Sequence, residues 1–83
     1  MTAPARNVRP KVHRFTAVIE REGKIYLAFC PELDIATQGL SIETARSNLQ
    51  EAVELFVESA DPREIKKRLH EDVLVTRLEV AVG

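Results

Sequence analysis

Glu32 and Asp34 flank Leu33 directly after Pro31. On an extended segment that spacing aims two carboxylates the same way, as a general acid/base pair or a divalent-ion site requires. No histidine, cysteine or third carboxylate has a defined place beside them, so they read as turn and strand-edge carboxylates, with docking on a partner as the functional alternative. Cys30 has no CxxC partner and no evident base; a lone cysteine on a β-rich run reads as an inert, buried side chain. His13 and His70 stand near opposite ends of the sequence in no metal-ligand spacing and read as surface histidines. Gly39 precedes a helix without the further glycines of a phosphate-binding loop. No catalytic residue, metal ligand or cofactor is expected from these residues.

Acidic residues make the one unusual constellation. At about 100° per residue, Glu43, Glu51, Glu54 and Glu58 fall within about 80° of one another on a single helix. Exposed helices usually relieve such repulsion with Lys or Arg three or four positions away, and only Arg46 is available, off to the side. The ridge is either a solvated face that keeps a small protein dissolved or a docking surface for a cationic protein. Net charge is −1, but it is unevenly spread: residues 1–31 carry +4, residues 32–61 carry −6 and residues 62–83 carry +1. The near-neutral whole argues against general nucleic-acid affinity, and the acidic middle fits a basic partner. The basic stretch around Arg6, Arg9, Lys11 and Arg14 and the triplet Lys66-Lys67-Arg68 are the nucleic-acid candidates. They lack interleaved aromatics for base stacking, and Glu64 and Glu71 dilute the second, so solvation is the favoured role.

These residues need a scaffold, and 83 of them make one domain. A chain this short buries only about 60–65% of its unfolded surface, so association between copies is expected from size alone. One cysteine excludes an internal disulfide framework and suits a reducing cytoplasm. No apolar run reaches the ~20 residues that cross a bilayer, and no signal-peptide pattern opens the chain, so no membrane association is expected.

Residues 1–12 hold two prolines and no periodicity and read as a flexible basic arm; residues 13–83 form the domain. Alternation over residues 13–22 predicts a strand, Gly23 a turn, and residues 25–30 a second strand, giving a β-hairpin. Pro31 ends that strand, and residues 34–38 can form a short third one. Ser41 reads as the N-cap of a helix from Ile42 to about Ser59, with Ala45, Leu49, Ala52, Val53 and Phe56 on its core stripe. Asp61-Pro62 restarts a short helix with Ile65 and Leu69 inward and Lys66, Lys67 and Arg68 mostly outward. Residues 73–82 alternate again and read as a last strand. The order β-β-β-α-α-β makes a two-layer α+β sandwich with the helices on one face of the sheet. The opposite face, with Thr16, Val18, Tyr26, Ala28, Cys30, Val73 and Val75 placed on it, is too apolar for solvent. A homodimer or higher homo-oligomer that covers this face, or that pairs an exposed edge strand, is the expectation.

From Phe15 to about Ala60, half to two-thirds of the chain, the sequence resembles the HicB family of type II toxin–antitoxin antitoxins. The carriers are the hairpin Phe15 to Glu20 and Tyr26 to Phe29, the run Cys30-Pro31-Glu32-Leu33 entering Thr37-Gln38-Gly39, and the helix opening Ser41 to Ala45 followed by Asn48-Leu49 and Glu51-Ala52. The resemblance implies a partial ribonuclease-H-like fold with the last strand beside the first, oligomerisation, and a role in binding and masking a small basic RNA-cleaving toxin of the HicA kind. Many such antitoxins continue into a DNA-binding domain that the 83 residues here do not contain, and some carry Pro-Gly where this chain has Asp34-Ile35.

Ribonuclease-H chemistry needs carboxylates converging from the first strand, the helix and the last strand around two ions. Here Glu20 lies near its strand's end, the helix glutamates are expected to face away from the sheet, and the last strand offers Arg77 and a peripheral Glu79, so no enzyme is expected. The leading expectation is an antitoxin-like module that uses Glu43, Glu51, Glu54, Glu58, Glu32 and Asp34 against a basic toxin. The alternatives are nucleic-acid binding through the arm and an orphan homo-oligomeric domain.

Overall fold

The computed structural model describes residues 13–70 and 72–83; the N-terminal arm and Glu71 lie outside the described residues. Strands β1 (Val18–Glu22), β2 (Ile25–Cys30) and β3 (Ile35–Gly39) form one antiparallel sheet in the order β1-β2-β3. Helices α1 (Ile42–Ser59) and α2 (Pro62–Arg68) follow. The first turn is closed by Gly23-Lys24, where Gly23 takes φ +62°, a left-handed conformation that costs glycine little. Ser41 caps α1: its hydroxyl oxygen accepts from the Thr44 amide at 3.0 Å. Asp61 caps α2 by accepting from the Arg63 amide at 2.8 Å, with Pro62 in the first turn.

Helix α1 lies across β3 and β2 and reaches β1 only at its margin. Ala45, Leu49 and Val53 are its buried stripe, and they meet Ala28, Cys30 and Leu33 in the core. Phe15, Ile19, Tyr26, Ile35, Phe56 and Leu69 pack around that centre, half-buried. The helix touches the sheet most closely at Gly39, where a Cβ would lie 2.5 Å from the Ala45 amide nitrogen. Two polar ties hold this approach: the Thr37 hydroxyl donates to the Ala45 carbonyl at 3.1 Å, and the Asn48 amide donates to the Gln38 carbonyl at 2.9 Å.

Two expectations are corrected here. Pairing sets Ile19 opposite Ala28 and Val18 opposite Phe29, so Tyr26, Ala28 and Cys30 share the helix-covered face, and Val18, Leu27 and Phe29 share the outer one. Tyr26 and Ala28 therefore belong to the core and not to the outer apolar surface. That surface keeps Val18 and gains other members: Val18 and Phe29 are 39% and 38% exposed around a shallow hollow that Leu27 and Ala36 also line. Residues 73–82, expected as a strand, form no element. Their alternation is that of a strand, but no strand among the described residues pairs with them. Leu74, Leu78 and Val82 are 83%, 86% and 95% exposed.

Candidate functional site

The turn of residues 31–34 gathers side chains from both ends of the fold. Glu32 directs its carboxylate inward, accepting from the Thr16 amide at 2.9 and 3.1 Å and from the Thr16 hydroxyl at 2.6 Å. The Cys30 thiol donates to the same carboxylate at 3.5 Å. Burial by itself would raise the Glu32 carboxyl, but the Thr16 hydroxyl and amide outweigh it and hold it below the ordinary glutamate range. The fully buried Cys30 thiol is pushed up, chiefly by burial and further by the Glu32 charge, against a lowering hydrogen bond with the Leu33 backbone.

Asp34 stands at φ 56°, the left-handed region that favours glycine, and its carboxylate meets the His70 Nε2 at 3.2 Å. The His70 amide donates to the Glu32 carbonyl at 2.8 Å, and the Arg68 guanidinium donates to the Leu33 carbonyl at 2.8 Å while lying over the Phe56 ring. Glu32 and Asp34 thus do not aim two carboxylates the same way. Glu32 is corrected from partner contact to an internal clasp, because Thr16 occupies its acceptor oxygens. Thr16 is corrected with it, its polar atoms being turned inward. Arg68, expected mostly outward, folds back over the turn instead. Sequence spacing gave no sign of the clasp or of Arg68, since the ties span 16 and 35 residues.

This clasp sets a pH dependence. A carboxyl lowered in the folded state lends stability that is present above the unfolded glutamate value and is lost as pH falls through the folded value. Glu32→Gln is expected to cost about 1 kcal/mol at neutral pH, and the gap between variant and parent should close on acidification below the ordinary glutamate range. Urea melts across that pH series check it; a gap that stays constant contradicts an ionised clasp.

The outward side of α1 carries Glu43, Glu51, Glu54 and Glu58, all exposed. The ion pairs among the described residues are Arg63–Asp61 and His70–Asp34, so none of the four glutamates has a cationic partner there. Glu54 accepts a 3.3 Å hydrogen bond from the Gln50 amide. No group of three or more His, Cys, Asp or Glu that could hold a metal ion occurs among the described residues. No helix among them is long and apolar enough to cross a membrane.

Beside this ridge, between residues 13–17 and the uncovered flank of α1, runs an open groove of about 790 Å³. Phe15, Leu49, Val53, Val57, Ile65 and Leu69 supply its apolar lining, and Arg46, Glu54 and Glu58 its charged one. Of the other expected interface residues, Val18 and Val75 are exposed and Val73 is half-buried.

A three-stranded antiparallel sheet with α1 packed on one face, followed by the short α2, defines a small α+β protein. Over 80 residues the chain is 38% identical to UPF0150 protein ssr1765 of Synechocystis sp., a match that covers 90% of this chain and 98% of that protein. The chain belongs to the UPF0150 family. No family model and no solved structure matches it.

Proposed function

We propose that this chain is an antitoxin-type binding module that masks a small, basic, RNA-cleaving protein by docking the outward face of α1 on it. The observation that carries the reading is the row of four exposed glutamates with no cationic partner among the described residues, on a helix whose opposite stripe is locked into the core. Such a surface offers carboxylates where an RNA-cleaving protein offers cations to phosphate, so it competes with substrate and speeds encounter without chemistry of its own. The resemblance of residues 15–60 to the HicB antitoxins supports it. In this reading the scaffold is a partial ribonuclease-H-like fold, with residues 73–82 as its remaining strand.

This function requires an adjacent reading frame encoding a short basic protein, and the test is co-expression with that product. The parent chain is expected to restore growth and to co-purify with that product. Glu51→Lys, Glu54→Lys and Glu58→Lys together should weaken binding by about a hundredfold or more, with the far-ultraviolet circular dichroism unchanged. Undiminished binding by the triple variant would overturn the docking face.

A further inference from the structure

The uncovered flank of the fold and the unpaired C-terminal segment have matching dimensions and chemistry. Among the described residues β1 is an edge strand with no partner on one side, and α1 overhangs it only marginally, leaving the apolar groove open beneath that edge. Residues 73–82 have the composition of a strand that belongs in such a place. Leu74, Leu78, Val80 and Val82 fall on one side of the alternation, with Thr76 among them, and Val73, Val75 and Arg77 fall on the other. From Leu74 to Val80 such a strand spans about 20 Å. The stretch of α1 from Arg46 to Glu58 that borders the groove is about 18 Å long.

On the outer face β1 carries Glu20 and Glu22, and the segment's corresponding face carries Arg77 together with Glu79, so charge is balanced there and the apolar face carries the match. Yet the chain does not fill its own groove. Arg68 and His70 tie the chain's exit to the turn of residues 31–34, and beyond it Leu74, Val75, Leu78, Val80 and Val82 remain 64–95% exposed. A monomer that exposes five large aliphatic side chains within residues 74–82 and also leaves one side of β1 without a partner among the described residues is an incomplete unit.

We infer that two copies of this chain exchange residues 73–82, each segment lying along β1 and the groove flank of α1 of the other copy as a fourth strand. In this arrangement the exchange is reciprocal and closes as a two-fold dimer, each chain both giving its segment to and receiving one from the same partner. It removes from water the aliphatic row that the isolated chain leaves exposed, and it covers the β1 edge against open-ended pairing.

Sedimentation velocity and light scattering on the full chain, with circular dichroism on every variant, test this. The full chain is expected to be a dimer, and a chain ending at Asp72 a monomer that keeps its helical signal. Leu78→Lys in the segment and Val57→Lys in the groove each place a charge in the proposed contact, at positions exposed in the single chain. Each should therefore leave the fold intact and raise the dimer dissociation constant about tenfold or more. A monomeric full chain overturns the proposal, since the segment then docks on its own copy or nowhere. A dimer that survives removal of residues 73–83 overturns it in favour of the outer sheet face. A dimer lost on truncation but indifferent to Val57→Lys overturns it in favour of segment-to-segment pairing. If the truncated chain unfolds, the two lysine variants decide alone.

Discussion

Gly39→Ala is expected to destabilise the protein by about 3 kcal/mol, lowering the melting temperature by about 12–24 °C for a domain of this size. The added Cβ would stand 2.5 Å from the Ala45 nitrogen, 2.9 Å from the Thr44 carbonyl carbon and 3.0 Å from the Ala45 Cα. All three are backbone atoms of the first turns of α1, so no side-chain rotation relieves the contact. The helix must lift from β3, and lifting it loosens Ala45, which is fully buried, and strains the ties from Thr37 to Ala45 and from Asn48 to Gln38. At a glycine with room for a methyl group the same change commonly stabilises by about 0.4–1 kcal/mol through the unfolded chain, so the sign of the result is decisive. Thermal denaturation followed by circular dichroism reads it, and a melting point at or above the parent's would mean the sheet and helix are not in contact there.

Leu33→Ala should cost about 2–5 kcal/mol, a large share of the 5–15 kcal/mol that holds a typical domain together. Leu33 lies outside every strand and helix, in the turn of residues 31–34, yet it is fully buried and is the largest side chain so enclosed among the described residues. Its removal leaves a cavity that the surroundings cannot easily collapse into, because the turn is fixed from several sides. Its amide donates to the Cys30 carbonyl at 3.3 Å, its own carbonyl accepts from Arg68, and the neighbouring Glu32 accepts from Thr16. Urea denaturation should show a lower midpoint with an unchanged slope. A loss no larger than that of an exposed-residue control would remove Leu33 from the core.

What the sequence made readable was what neighbouring residues decide. The hairpin around Gly23, the Ser41 cap, the extent of α1, the Asp61-Pro62 restart and the buried stripe through Ala45, Leu49 and Val53 are all local signals, and the structure has each of them. Alternation in β2 separates Tyr26, Ala28 and Cys30 from Ile25, Leu27 and Phe29, but it does not say which set faces the helix. That was settled by the partner strand, where Ile19 sits opposite Ala28. The acidic ridge was legible because helical spacing fixes which glutamates share a side. The Glu32 clasp was not, because a carboxylate's use depends on a hydroxyl and an amide 16 residues earlier in the chain. Residues 73–82 show the limit most clearly: alternation reports that a segment suits pairing and is silent on where its partner comes from.

The buried Cys30 thiol has a consequence for how copies of this chain can meet. With no exposure, a pKa pushed upward and a carboxylate beside it, the sulfur is chemically silent while the protein is folded. As the chain's one cysteine, it leaves native molecules no accessible thiol for an intermolecular disulfide. An assembly of native molecules is therefore held by non-covalent contacts as far as sulfur is concerned, and its equilibrium follows concentration by mass action without a thiol–disulfide switch.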